Sequence, residues 1–466
     1  ISTVGSGTGR VVLQPNAGKW GGATIVGSMD FWFKNNDNIT LDALPDASNL
    51  FTGWTVDSVP SGISNPLNYN VSLTDHTIDA SFEPLPVVTF QNPNESATEE
   101  NPVNFIVQLD RTIPYDVVVT YDVAAGGPTP GTAGTDFTDG TGLTVTIPAN
   151  QPSAPLSVAT LLDAIVEPSE TFIVTLTGVT STGGTVPASS NAVIGGANSA
   201  TGTITDNDTS EVSITPGANG LEDTVAGSFT VTLTNPSATA TDISYTVGGT
   251  ADAADHSLVD GTVTVAALAT TATITVPVIA DSVVEGPETV IVTLTGIVSS
   301  LPGITVVAAP GDTATIDIID DDNAAVTITS PGSDGNEAGP VDGVFTVNQS
   351  LAADEDTVIS YTVGGTASAP GDHTLVDGSV TIFAGDTTAT IVVPVLDDSV
   401  VEDTETVMVT LNSITASTDG TVTIDGANDT ASLNIIDDDA TAVSIAPTTM
   451  AAEPGTNGLF TVTIDN

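Results

Sequence analysis

The chain contains no cysteine, and only four of its 466 residues are lysine or arginine. Without disulfides, each folded unit needs a hydrophobic core of its own, and a hydrophobic content of 40% can supply one. Because so few side chains can neutralise phosphates, the composition argues against nucleic-acid binding and against anionic membrane surfaces. No apolar run reaches the length of a membrane span, and no signal-peptide pattern opens the chain.

The charge is almost entirely of one sign. There are 58 aspartate and glutamate residues, the formal net charge is −54, and no lysine or arginine follows Arg111. Salt bridges within the chain cannot balance these carboxylates, so their partners must be water or cations. Divalent cations would relieve the mutual repulsion most efficiently.

What the chain has in abundance is repetition. Three similar stretches end at Phe137, His256 and His373, and each is followed by a stretch such as LLDAIVEPSETFIVTL and then by an acidic triplet. Asp255 and Asp372 are 117 positions apart. A fixed period indicates an array of similar units, and this period is long enough for each unit to be a small domain.

The repeats predict strands. Segments around Phe229, Phe345 and Phe460 alternate apolar with Thr, Ser or Asn, and residues 271–279 and 388–396 are rich in Val, Ile and Thr. Gly, Pro, Asn and Asp clusters separate these segments at spacings typical of a β-sandwich. No sustained helical period is found, so the fold class expected is all-β.

Residues 1–84 differ from the repeats and hold all three tryptophans. Trp54, Asn65-Pro66-Leu67 and the closing Ala80-Ser81-Phe82 resemble the C-terminal half of the bacterial InlB-type B-repeat, a small β-rich module of surface proteins. The resemblance predicts a β-rich N-terminal module that ends at residue 84.

The repeats resemble Calx-β domains, which are immunoglobulin-like β-sandwiches. The motifs that carry the resemblance are a glutamate before the first strand pair, GTAxxxDY, DDxxxExxE and a terminal DDD. It predicts tandem immunoglobulin-like sandwiches at 85–208, 209–323 and 324–440, and the start of a fourth at 441–466. It also implies that these acids gather at one end of each sandwich and bind Ca²⁺.

Carried over position by position, the resemblance implies the following calcium ligands. In the first repeat they are Glu99 or Glu100, Asp136, Asp163, Glu167, Glu170, Asp206 and Asp208. In the second they are Glu222, Asp255, Asp281, Glu285, Glu288, Asp320, Asp321 and Asp322. In the third they are Glu337, Asp372, Asp397, Asp398, Glu402, Glu405, Asp437, Asp438 and Asp439, and the partial fourth repeat offers Glu453.

The repeats depart from the family pattern in places. One position of the DD pair is Leu162 in the first repeat and Ala280 in the second, and Asn207 interrupts the first triplet. The aromatic residue after the loop aspartate is replaced by His256 and His373 in two repeats, where packing is favoured over metal ligation or catalysis. The third repeat is the most complete, so we expect it to hold the most calcium.

Calcium is also expected on physical grounds. It takes six to eight oxygen ligands, and many carboxylates converging on one pole cannot all stay ionised without a cation. A single aspartate is more often a turn residue, but an ordered set that recurs three times favours a metal site. A paired-carboxylate hydrolase remains open from acids alone, yet recurrence in every unit favours a structural site, so no enzyme is expected.

The function expected is a calcium-binding stalk in a giant extracellular adhesin or surface filament protein, of bacterial origin, with calcium making domains and junctions rigid. The alternatives are a self-assembling sheath or fibre subunit and the accessory modules of a secreted enzyme. The partners expected are calcium and neighbouring repeats, with a receptor, a glycan or anchoring machinery in further parts of a longer protein.

Overall fold

A computed structural model describes residues 1–4, 8–14, 22–62, 64–72, 74–182, 192–332, 334–416 and 422–465. All regular secondary structure in these ranges is β-strand, which confirms the all-β prediction. No helix among the described residues is long and apolar enough to span a membrane. The chain divides into two compact units, 1–210 with 235–239 and 301–303, and the remainder. Trp20 lies outside the described residues.

The N-terminal module has two four-stranded sheets, ordered β1-β8-β5-β6 and β3-β2-β4-β7. Their strands are β1 (Ser2–Val4), β2 (Gly9–Leu13), β3 (Ala23–Ile25), β4 (Asn38–Pro45), β5 (Asn49–Val56), β6 (Val59–Gly62), β7 (Leu67–Asn70) and β8 (Ile78–Pro84). Trp54 is buried against Phe51, with ring centroids 5.2 Å apart. The buried Asn65 side chain bonds both backbone groups of Ala43, which holds β4 to the loop before β7. Two signature residues of the module are therefore part of its core.

The three repeats have the same two-sheet architecture, with one five-stranded and one four-stranded sheet each. The first contains β9 (Val87–Phe90), β10 (Asn94–Thr98), β11 (Val103–Leu109), β12 (Asp116–Ala125), β13 (Gly140–Ile147), β14 (Ser153–Val158), β15 (Glu170–Thr182), β16 (Val193–Ile194) and β17 (Ser199–Thr205). Its sheets are ordered β10-β17-β15-β12-β13 and β14-β11-β9-β16.

The second and third repeats preserve this strand order. The second has β18 (Ser210–Pro216), β19 (Gly220–Leu221), β20 (Gly227–Leu233), β21 (Thr241–Gly249), β22 (Gly261–Val265), β23 (Thr271–Val276), β24 (Glu288–Ser299), β25 (Ile304–Val306) and β26 (Thr313–Ile319). The third has β27 (Ala324–Thr329), β28 (Gly335–Asn336), β29 (Gly343–Gln349), β30 (Thr357–Gly365), β31 (Gly378–Ile382), β32 (Thr388–Val393), β33 (Glu405–Ala416), β34 (Val422–Ile424) and β35 (Thr430–Ile436). Their sheets are ordered β19-β26-β24-β21-β22 with β23-β20-β18-β25, and β28-β35-β33-β30-β31 with β32-β29-β27-β34.

The alternating sequence pattern explains why each sandwich has a core. Successive side chains of a strand point to opposite faces, and β20 and β29 alternate strictly between buried and partly exposed positions. Phe105, Phe229 and Phe345 occupy equivalent positions on the inner faces and are fully buried. The hydrophobic effect acts on this inward face of each strand, which leaves the outward face for Thr, Ser and Asn.

Two predicted strands are shorter than expected. The segments predicted at 271–279 and 388–396 end as strands at Val276 and Val393. The next residues are Pro277 and Pro394, and proline has no N–H to donate to a ladder. The chain beyond each proline instead pairs with the loop that carries a predicted ligand, as described below.

The start of the fourth repeat forms a hairpin of β36 (Val443–Thr449) and β37 (Leu459–Ile464). The predicted strand around Phe460 is therefore present.

Candidate metal centres

Sheet topology brings the predicted ligands of each repeat to one end. In the first repeat β10 and β17 run parallel, with Thr98 opposite Thr205, so Glu99 and Asp206 follow neighbouring strand ends. The antiparallel β15 begins at this edge, with Glu170 opposite Ile204. These acids are far apart in sequence and adjacent in space because β10, the second strand of the repeat, is paired with its last strand, β17.

The same pairing recurs in the other repeats. Leu221 lies opposite Ile319 in the second, and Asn336 lies opposite Ile436 in the third. The residues that directly follow these four strands are acids, namely Glu222, Asp320, Glu337 and Asp437. Glu288 and Glu405 begin the neighbouring strands β24 and β33.

The first and second repeats each form two groups of three carboxylates whose ligand oxygens lie within 4.8 Å of one another. One group, here called the terminal cluster, joins the early glutamate to the acidic triplet. It consists of Glu99, Asp163 and Asp208 in the first repeat and of Glu222, Asp320 and Asp322 in the second.

The other group, here called the loop cluster, joins the loop aspartate to the glutamates before and at the start of the following long strand. It consists of Asp136, Glu167 and Glu170 in the first repeat and of Asp255, Glu285 and Glu288 in the second. In the third repeat a group of Glu337, Asp372 and Glu402 combines members equivalent to both clusters.

The first aspartate of each triplet has a structural task. Both carboxylate oxygens of Asp320 accept backbone hydrogen bonds, from Glu285 N at 2.9 Å and from Asp322 N at 2.9 Å. Asp206 accepts the equivalent backbone hydrogen bonds from Glu167 N and Asp208 N. Asp437 accepts them from Glu402 N and Asp439 N. This aspartate therefore holds the glutamate-bearing loop and the end of the triplet together.

A second set of backbone bonds shapes the acid-bearing loops. Asp163, Asp281 and Asp398 each accept a bond of 2.7 Å from the N–H two residues later. Such side-chain bonds to nearby backbone are typical of Asx turns. They turn the chain sharply between β14 and β15 and at the equivalent places in the other repeats.

The segment after each strand-ending proline supports the loop aspartate. Ile279 N donates to Asp255 O at 2.8 Å, and Leu396 N donates to Asp372 O at 2.9 Å. His256 and His373, which follow these aspartates, are buried and form bridges with Val278 and Val395. In the first repeat Phe137 takes this position and stacks on Phe172 with ring centroids 4.9 Å apart. The residue after the loop aspartate therefore packs inward in every repeat.

The crowding of carboxylates raises their pKa values. Burial is the largest cause, and the charges of neighbouring acids add to it, such as Asp206, Asp163 and Asp208 around Glu99. The pKa rises to about 7 for Glu99, Glu167, Glu222, Glu288 and Glu337, and to about 8 for Glu170 and Glu285. The pKa values of Asp208, Asp322, Glu402, Glu405 and Asp439 are also raised, first by burial.

Several carboxylate oxygens have no partner among the described residues although they are buried. They belong to Glu99, Asp208, Glu288, Glu337 and Asp439. An unpaired buried polar atom is costly, and Glu99 and Glu337 are each only 3% exposed. The donors are oxygens, they are mostly carboxylates, and they converge at each site, which is the ligand set that calcium prefers. The residues present therefore fit calcium.

Not every predicted ligand lies in a cluster. Of the two candidates at the start of the first repeat, Glu99 is in the terminal cluster, whereas Glu100 is exposed with a φ of 66°. The charge of Asp321 helps to raise the pKa of the clustered Glu222, and the charges of Asp397 and Asp438 help to raise the pKa of Asp439.

Asp354 was not predicted. Its charge is among those that raise the pKa values of Glu285 and Glu288, although it belongs to the third repeat. Ala238 stands at the equivalent position of the second repeat. Comparison between repeats therefore carries no signal for Asp354, and only the contact between domains reveals it.

Comparison with known proteins identifies the family of the three repeats. The Calx-beta domain family model matches residues 84–208, 214–322 and 320–439, which is well over half of the chain. No curated protein matches. Among solved structures, CBD12 from CALX1.2 is 15% identical over 50% of this chain and 100% of its own, with a TM-score of 0.24. The apo-form Calx CBD1 domain is 22% identical over 27% of this chain and 99% of its own, with a TM-score of 0.21.

Proposed function

Because this chain belongs to the Calx-beta domain family, whose members are calcium-binding modules, we propose that it is a calcium-binding structural segment of a large extracellular surface protein. In this role calcium neutralises the acidic end of each repeat and makes the domains and their junctions rigid. The observation that carries the proposal is the carboxylate cluster that recurs at the same strand ends in all three complete repeats.

The carboxylates of a cluster can be held together either by protons or by a cation. In the absence of metal, burial and mutual repulsion favour the protonated forms, as the raised pKa values of Glu285 and Glu337 indicate. A calcium ion at the same place supplies two positive charges, and it binds only when the chain is folded. Ligand binding restricted to the folded state stabilises it by about 2.7 kcal/mol at a hundredfold excess over the dissociation constant.

Thermal unfolding of the full chain in calcium, in magnesium and in chelator tests this function. We expect calcium to raise the melting temperature well above the chelator value. Magnesium should do so less, since it requires a stricter octahedral geometry. Glu337→Gln should reduce the gain from calcium in the transition of the third repeat, whereas the exposed Glu100→Gln should not affect any transition. Identical melting curves in calcium and chelator would contradict the proposal.

A stalk on the cell surface is supported by composition. With four lysine and arginine residues and none after Arg111, the repeats offer almost no sites to trypsin-like proteases. Antibody labelling of intact source cells, before and after surface proteolysis with an enzyme that cleaves at other residues, tests the location. Signal that appears only after cell lysis would argue against it.

The stiffening of junctions is a separate part of the proposal. Small-angle scattering of the full chain should give a narrower distribution of end-to-end distances in calcium than in chelator, because cations cancel repulsion between neighbouring acidic ends. Concentration-dependent growth of the particle would instead favour a self-assembling fibre subunit.

A further inference from the structure

A valine in the acid-bearing loop of one repeat docks onto the next repeat. Val284 N donates to Ala352 O at 2.8 Å, and Val284 O accepts from Asp354 N at 3.2 Å. Val284 is fully buried and belongs to the hydrophobic core of the third repeat. This contact lies within the second compact unit.

An equivalent contact is found within the first compact unit. Val166 is fully buried, its N–H donates to Pro236 O at 2.9 Å, and its carbonyl accepts from Ala238 N at 2.9 Å. The residues that contact the valine lie at equivalent positions of the second and third repeats, so Ala238 aligns with Asp354. Only the second of these junctions has a carboxylate there.

The docked valine is next to a candidate ligand. Glu285 follows Val284, and its backbone N–H is held by Asp320. The backbone bond to Val284 therefore fixes Asp354 beside the loop cluster of the second repeat. Consistent with this, the charge of Asp320 raises the pKa of Asp354, after burial and the neighbouring Glu355.

The second repeat is deficient in carboxylates at this end. Ala280 stands where the third repeat has Asp397. A buried oxygen of Glu288 in the loop cluster has no partner among the described residues, which leaves an acceptor that a cation would satisfy. The second and third repeats contain no lysine or arginine, so neither supplies such a side chain to neutralise Asp354.

We propose that the calcium site at the loop cluster of the second repeat is completed across the domain junction by the carboxylate of Asp354. The inference rests on the proposed calcium binding. Under this inference the calcium affinity of the second repeat depends on the third repeat. The junction between the first and second repeats has Ala238 at the equivalent position, so no such dependence is expected there.

Calcium titration of the full chain by calorimetry tests this inference with Asp354→Asn and the matched control Glu355→Gln. Both variants remove one negative charge from adjacent exposed positions, and asparagine preserves the shape of Asp354. We expect Asp354→Asn to weaken one class of site by about tenfold or more, in the range seen when groups around a bound metal are removed. Glu355→Gln should leave all sites within about twofold. Equal effects of the two variants would overturn the inference.

A double-mutant comparison assigns the affected site. The loss of calcium affinity caused by Asp354→Asn should vanish in a Glu285→Gln background, because the site of the second repeat is already disabled there. It should persist in a Glu402→Gln background, where only the site of the third repeat is disabled. The opposite result overturns the inference. The converse variant Ala238→Asp should tighten the first-repeat site, which has Leu162 in place of a carboxylate; an unchanged affinity there also counts against it.

The two proposals fail differently. If the unaltered chain binds no calcium, both the proposed function and this inference are wrong. If it binds calcium and Asp354→Asn behaves as Glu355→Gln does, only the inference is wrong. Melting of each variant in chelator shows that the loss of affinity is not a loss of folding.

Discussion

Calcium binding should release protons, and the number released should depend steeply on pH. Metal ions bind ionised carboxylates, so protons held by the clusters must leave. Seven glutamates have pKa values of about 7 or about 8. At pH 6 a group with a pKa of about 7 is roughly nine-tenths protonated, and one with a pKa of about 8 is almost fully protonated. Saturating the full chain at pH 6 should therefore release about six to seven protons.

At pH 9 the same groups are already ionised, and the release should fall below about one proton. Calorimetric titration at each pH, in two buffers with different ionisation enthalpies, measures the number directly. The apparent affinity for calcium should rise between pH 6 and pH 9 for the same reason.

Two neighbouring residues provide the control. Glu99→Gln removes a buried glutamate of the terminal cluster, so it should lower the release at pH 6 by about one proton. Glu100→Gln removes an exposed glutamate outside the cluster and should leave the number unchanged. A release near zero at pH 6, or the same number at pH 6 and pH 9, would refute the reasoning, because the glutamates would then be either already ionised or not displaced.

Three further predictions follow from the same geometry. The metal-free chain should lose stability as the pH rises from about 5 to about 8. The raised glutamate pKa values make the folded state bind more protons than the unfolded state across that window. Melting in chelator across this pH range tests the prediction, and a melting temperature that rises with pH would contradict it. Val284→Ala should destabilise the third repeat by about 2 kcal/mol, whereas the partly exposed Val283→Ala should cost less than about 0.5 kcal/mol; denaturant unfolding compares them, and equal costs would show that docking does not matter. Ala280→Asp should tighten calcium binding in the second repeat. Asp437→Asn should weaken calcium binding in the third repeat by loosening the loop that Asp437 holds. Calorimetry of the full chain decides both, and unchanged affinities would exclude these positions from the sites.

Much of this structure is already determined by the sequence. The strict alternation around Phe229 and Phe345 can bury one face of a strand only, so strand, core and all-β class follow from local chemistry. The period of 117 positions from Asp255 to Asp372 identifies the acids that recur. The ends of the strands before Pro277 and Pro394 also follow from the missing N–H of proline, although the prediction extended both strands too far.

Other features were decided by the tertiary structure alone. The choice of Glu99 over Glu100 depends on the strand pairing that places Thr98 opposite Thr205, and two adjacent glutamates look alike in a sequence. The role of Asp354 depends on a contact between different positions of successive repeats, which a comparison of equivalent positions cannot detect. The pKa values of the clustered acids depend on how closely distant segments approach, because burial and charge repulsion act through space and not along the chain.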